Sequence, residues 1–109
     1  MIVPHEIDQR HLDDIRSVLG NETLFYTQVQ PDNNHLKTSA VMVVDTIGKL
    51  SSLYQYATVA MVGGGFGKAV HNTLEPAVYG IPVIIGPNFK RFREACELVD
   101  LGGIKVVHN

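Results

Sequence analysis

Two segments of this 109-residue chain carry the groups that could do chemistry. The first is Gly63-Gly64-Gly65-Phe66-Gly67, directly after an apolar run. Glycine tolerates positive φ, so such a run can turn the backbone sharply after a strand and present N–H groups to an anion. It is not a Walker loop, which would need glycine where Val62 stands and Ser or Thr where Ala69 stands. As a GxGxxG pattern from Gly63, its third glycine falls on Lys68 and no acidic residue follows in the required context. A purely structural turn is the simpler use of the same residues.

The second segment is His71-Asn72-Thr73-Leu74-Glu75-Pro76. Asn72 and Glu75 have capping-box spacing, and Pro76 is tolerated in a first helical turn, so a helix start explains the residues by itself. A ligand role explains them too. A carboxylate at Glu75 can accept two hydrogen bonds from a ribose diol, while His71 and Asn72 face phosphate oxygens near the positive end of the helix. Other chemistry has less support. The five histidines, His5, His11, His35, His71 and His108, show no metal-ligand spacing on one element and no carboxylate pair supports them, so no metal is expected. Neither a GxSxG elbow nor a cysteine with a base is present.

The elements that must position these groups alternate. Ile2-Val3 reads as a strand end closed by Pro4, followed by a helix over about 9–19 with Leu12, Ile15, Val18 and Leu19 on one face and Gly20-Asn21 as its stop. Strands are expected at 23–27, 41–44, 58–62, 82–85 and 104–107. The polar stretch 30–39, with Pro31, Asp32, Asn33 and Asn34, reads as a loop. Asp45-Thr46 opens a helix to about Tyr56, with Ile47, Leu50, Leu53 and Tyr54 on its apolar face; further helices are expected over 73–79 and 91–99. Short apolar runs alternating with amphipathic helices predict an α/β fold with a parallel sheet covered on both faces. Ligands in such sheets sit beyond the carboxyl ends of the strands, which places 63–72 and 86–89 on the binding edge.

Composition narrows the partners. With 45% hydrophobic and 18% charged residues and a net charge of -2, the chain is an ordinary globular α/β sequence. Its nine Lys and Arg are scattered apart from Lys90, Arg91 and Arg93, so no nucleic-acid partner is expected. The single cysteine, Cys96, has no internal disulfide partner and fits a reducing, cytoplasmic setting. No stretch approaches the roughly 18 apolar residues of a membrane span, so no membrane insertion by this chain is expected. The Asn21-Glu22-Thr23 sequon has no secretory context.

In order, Asp45-Thr46-Ile47-Gly48-Lys49-Leu50, Tyr54, Val62-Gly63-Gly64, His71-Asn72-Thr73-Leu74-Glu75-Pro76-Ala77, Gly80-Ile81-Pro82-Val83 and Gly86-Pro87 resemble the 3-deoxy-D-manno-octulosonic acid (Kdo) transferases. The resemblance runs from about Pro4 to Val107, and the order of motifs is more specific than any one of them. It implies a Rossmann-like, three-layer parallel sheet forming the C-terminal half of a GT-B glycosyltransferase. Residues 1–109 would be one truncated nucleotide-sugar-binding domain, with the N-terminal acceptor domain absent. It implies a CMP-Kdo donor, a lipid A precursor as acceptor through the missing domain, no cofactor, and a parent enzyme at the cytoplasmic face of the bacterial inner membrane.

Carried over by position, Asp45, Thr46 and Gly48 belong to the loop near the nucleotide. Gly63 and Gly64 lie beneath the sugar phosphate, His71 and Asn72 face it, and Glu75 takes the ribose. Pro4, His5 and Glu6 match a polar donor-facing loop, while the catalytic carboxylate falls in the missing domain, so no catalytic residue is expected here and the isolated chain is expected to be inactive. Capping is the competing use of Asp45 and Thr46. Three departures stand out: a shorter 64–71 loop holding Ala69-Val70, Arg91 in place of Asn, and His5 in place of Arg. A GT-B enzyme using a UDP-sugar (a transferase or a 2-epimerase) and a non-catalytic nucleotide-binding module are the alternatives.

Overall fold

The computed structural model describes residues 1–32 and 34–109; Asn33, read from the sequence as part of a loop, lies outside them. The chain divides into two compact units, residues 1–49 and 50–109. Among the described residues all strands pair in parallel, as two strands in the first unit and three in the second.

In the first unit, α1 spans Gln9–Leu19, as its apolar spacing predicts. Asp8 is the N-cap and its carboxylate accepts from the His11 N–H. Gly20, at φ 85°, ends the helix while its N–H still reaches the Arg16 carbonyl at 2.9 Å. The buried stripe is narrower than expected: Leu12 and Ile15 are half-buried, but Val18 is 82% exposed. β1 (Leu24–Phe25) pairs with β2 (Met42–Val43), and Ile2 bridges to Val43 on the other side. Val43, flanked on both sides, is wholly buried. Strands predicted at four or five residues are thus two long, because after Phe25 the chain tightens into a 3₁₀ turn, Tyr26–Gln28. A second such turn, Asn34–Lys37, interrupts the expected loop. The Arg16 guanidinium lies 4.5 Å over the Phe25 ring.

The second unit begins with a short helix, α2 (Leu50–Leu53), continued by a 3₁₀ turn over Tyr54–Tyr56. The longer helix expected from Asp45 does not form, and α2 begins only at Leu50. Gly48 takes φ 85°, outside the right-handed helical well, and Asp45 is engaged elsewhere. Ile47, expected on the buried face, is 83% exposed in this bend.

β3 (Ala60–Val62), β4 (Val83–Ile85) and β5 (Ile104–Val106) form a sheet in sequence order, linked by α3 (Leu74–Val78) and α4 (Arg93–Asp100). Val62, Val70, Val83, Ile85 and Ile104 make its core, with Phe89, Phe92, Leu98 and Val99 packed against them. The opposite row, Met61, Ile84 and Lys105, is in register across the strands, and Met61 is 65% exposed. Ile84, in the central strand of that row, is half-buried. Right-handed crossovers between sequential parallel strands carry both helices to the same face of the sheet.

The capping at α1 generates a pH dependence. His11 Nδ1 meets Asp8 Oδ2 and His11 Nε2 lies 3.2 Å from Glu6 Oε2, so only the imidazolium donates to both. The hydrogen bond to Asp8, then its charge, hold the His11 pKa above 6.5, while the same hydrogen bond holds Asp8 below 3.8. The histidine contribution is complete below pH 6.5 and is lost as pH rises through the raised value; the aspartate contribution is complete above pH 3.8 and is lost as pH falls through the lowered one. Protection of the amides in the first turns of α1, relative to their intrinsic exchange at each pH, should be greatest between these limits, and His11→Ala should abolish the added protection on the acidic side of neutrality. Both are read by exchange measurements across pH.

Candidate functional site

The carboxyl ends of the first unit's strands lead into the loops that the sequence marks. The Ile2 bridge leads to Pro4, His5 and Glu6, β1 to Thr27, and β2 to Asp45, Thr46 and Gly48. Thr27 donates to the Asp45 carboxylate through its N–H, at 2.9 Å, and through Oγ1. Burial raises the Asp45 pKa, but these hydrogen bonds outweigh it and leave the group below its usual 3.8. Asp45 is therefore a fixed anion that locks two loops together. Thr46 is half-buried and Gly48 exposed beside it.

His5 and Glu6 line an open cavity of about 310 Å³ with Pro4, His11, Asp14 and Ile15. The sequence finds no carboxylate support for any histidine, and here the structure corrects it. Ligating atoms of Glu6, Asp8 and His11 come within 4.8 Å of one another. The signal was the i, i+3 spacing of Asp8 and His11 across a helix N-cap, which stacks the two side chains. With a carboxylate at each ring nitrogen, this arrangement suits a bound proton.

The second unit's edge is tighter. After β3 the chain turns at Gly63-Gly64, and Gly64 takes φ 84° with the Ala69 carbonyl so close that an added Cβ would lie 2.2 Å from its oxygen. Gly65 and Gly86, each following a strand, pack backbone to backbone: a Cβ on Gly65 would meet Gly86 N at 2.7 Å, and one on Gly86 would meet Gly65 C at 2.4 Å. Asn88 stitches the two loops. Its N–H reaches the Gly65 carbonyl at 2.9 Å, its side-chain amide the Gly67 carbonyl at 2.7 Å, and its carbonyl accepts from Val70 at 3.2 Å. Sequence reasoning missed Asn88; its signal was a side chain with both donor and acceptor two residues after Gly86.

His71 follows this knot, its N–H on the Gly63 carbonyl at 3.0 Å and its ring edge against Gly63 and Gly64. Asn72 does not form the expected capping box. Its Oδ1 accepts from the Leu74 N–H at 2.9 Å, which places the helix start one residue later with Thr73, 3% exposed, as the N-cap residue. α3 has only five residues, so few peptide dipoles align there. Glu75 lies in its first turn, half-buried, and its charge together with the larger effect of burial raises the Tyr54 pKa above 10.0. Tyr54 and Tyr79 pack with ring centroids 6.4 Å apart. Gly63, Gly64, His71, Asn72 and Glu75 thus share one edge of the second unit, while His5, Glu6, Asp45, Thr46 and Gly48 belong to the loops of the first.

The fold places the chain in a class of protein. It is that of the C-terminal domain of a GT-B glycosyltransferase, as in the C-terminal CMP-Kdo binding domain of WaaA from Acinetobacter baumannii, which it matches with a TM-score of 0.80 at 22% identity over 98% of this chain and 57% of that one. Among curated sequences, the 3-deoxy-D-manno-octulosonic acid transferase of Chlamydophila psittaci is 32% identical over 103 residues, covering 92% of this chain and 23% of the relative. The enzyme of the same name from Aquifex aeolicus is 31% identical over 105 residues, covering 94% and 28%. No protein-family model matches. The chain belongs to the Kdo transferase family and spans about a quarter of the length of these relatives.

The Gly65–Gly86 approach has a measurable cost of disturbance. Gly65→Ala and Gly86→Ala should each destabilise the fold by about 1–3 kcal/mol, since the clashing atoms are backbone and cannot swing away. Gly67→Ala, whose Cβ would meet its nearest neighbour at an ordinary 3.6 Å, should shift stability by at most about 0.5 kcal/mol. Urea denaturation of the three variants compares them directly.

Proposed function

We propose that this chain is the donor-binding part of a glycosyltransferase that moves Kdo from CMP-Kdo to a lipid A precursor in lipopolysaccharide assembly. The observation that carries the reading is the second unit's edge: a stitched glycine turn, His71 and Asn72 beside it, and Glu75 one turn into the next helix, in a chain of this family and fold.

In this reading Glu75 accepts hydrogen bonds from the two ribose hydroxyls. The nucleotide phosphate lies at the Gly63-Gly64 turn, with His71 and Asn72 at its flank. The leaving group of the transfer is an anionic nucleotide. Donors held rigidly at that edge stabilise the charge as it develops, without reorganising at the moment of reaction. In the first unit, the family resemblance assigns Asp45, Thr46 and Gly48 to a nucleotide loop and His5 and Glu6 to a donor loop, and Thr27 fixes Asp45 there. The acceptor and the carboxylate that deprotonates it are supplied by the rest of the enzyme, at the cytoplasmic face of the inner membrane. No metal or other cofactor takes part. No helix among the described residues is long and apolar enough to cross a membrane.

Titration of isotope-labelled protein with CMP and, separately, UMP tests this. CMP-selective amide shifts at Gly63, Gly64, Asn72 and Glu75 are expected. A preference for UMP at the same residues would move the function to a UDP-sugar enzyme of the same fold, and no shift with either would reject the donor site in this chain. Glu75→Ala should weaken CMP about tenfold to a hundredfold, the loss of hydrogen bonds to a charged group worth roughly 1.5–3 kcal/mol.

A further inference from the structure

The chain is net acidic, yet one part of its surface has the opposite sign. The stitched loops, residues 63–72 and 86–92, carry Lys68, Lys90 and Arg91 and not one carboxylate, against a net charge of -2 for the whole chain. The fold displays these cations. The Phe92 N–H reaches the Phe89 carbonyl at 2.9 Å and closes a turn whose two outer residues are Lys90 and Arg91. Phe89 and Phe92 are pinned to the core, so the turn holds both cations out into solvent.

Lys68 is just as exposed on the facing loop, between Gly67 and Val70, two of the three positions that Asn88 bonds directly. Arg93, by contrast, is engaged by Glu97 at 2.7 Å. Among the described residues no ion pair involves Lys68, Lys90 or Arg91. Three like charges gathered on two loops that are bonded to each other repel, and an anion seated among them removes that repulsion.

We propose that Lys68, Lys90 and Arg91 form a cationic rim that recognises the carboxylate of a sugar-acid donor, separately from the groups that hold its nucleotide. The proposal rests on the donor reading above and deepens it. Kdo is an acid, so its CMP conjugate carries a carboxylate beside a singly charged phosphodiester, whereas the charge of CMP at neutral pH lies on one phosphate. The nucleotide phosphate has its own place at the glycine turn, and the rim lies on the flanks of that turn. Arg91 stands where the family resemblance leads to an expectation of Asn, so in this chain the rim is more cationic than the family pattern.

The test compares two ligands on two proteins. Isotope-labelled wild type and the triple variant Lys68→Gln/Lys90→Gln/Arg91→Gln are titrated with CMP and with freshly prepared CMP-Kdo. All three side chains are exposed, and the amide spectrum of the variant reports whether the fold is kept. Wild type should bind CMP-Kdo about tenfold more tightly than CMP, as expected for charge-assisted bonds discounted for exposure. The variant should lose that advantage while binding CMP within about twofold of wild type. An equal weakening of both ligands would assign the cations to the nucleotide phosphate and overturn the rim. An unchanged CMP-Kdo advantage in the variant, or none in wild type, would overturn the rim and leave the donor reading standing. Failure of wild type to bind CMP would overturn the donor reading and the rim together.

Discussion

Gly65 and Gly86 meet backbone to backbone, and the arrangement of the second unit's edge follows from that contact. Their main chains approach so closely that no other residue type fits at either position. Gly86 directly follows β4 and Gly65 lies three residues beyond the end of β3, so the contact brings together the loops that leave these two strands. Asn88 then adds its hydrogen bonds between the same loops. Close packing alone would leave the loops free to slide, whereas bonds from the Asn88 N–H, amide and carbonyl fix their register. The positions of His71, Asn72 and Lys68 along one loop, and of Lys90 and Arg91 along the other, are consequences of this join.

The first unit solves a similar problem with charge. Asp45 lies two residues beyond β2 and is held by Thr27, in the 3₁₀ turn that follows β1, through the backbone and the side chain together. A carboxylate accepting two such bonds stays ionised despite partial burial, and it leaves the chain unable to start a helix there. The competition between capping and ligand binding at Asp45 thus has a third outcome, a tie between loops. Gly48, at φ 85°, completes the break, and the helix waits until Leu50.

Much of the fold was legible in order and type. α1 was readable to the residue because its cap, periodicity and glycine stop agree with one another. Ile2-Val3 is reduced to an isolated bridge at Ile2, and each later predicted strand exists but is shorter, because apolar runs continue past the point where ladder pairing ends. The candidate site was legible as a list of residues, since glycines after a strand and a polar cluster before a helix are local patterns. What was not legible was their partners: Asn88 on Gly67, Thr27 on Asp45 and Glu6 on His11 are contacts that spacing does not announce.

The sequence by itself determined the α/β class, the order of elements, the family and the residues that gather at the strand ends, because these rest on periodicity, turn chemistry and motif order, all local in the chain. Only the tertiary structure decided which glycines need to be glycine, which sheet row is buried and which cations lie on joined loops. These depend on the approach of segments about twenty residues apart, as Gly65 to Gly86, and the energy of such an approach is set by the distance between backbones that no single segment encodes.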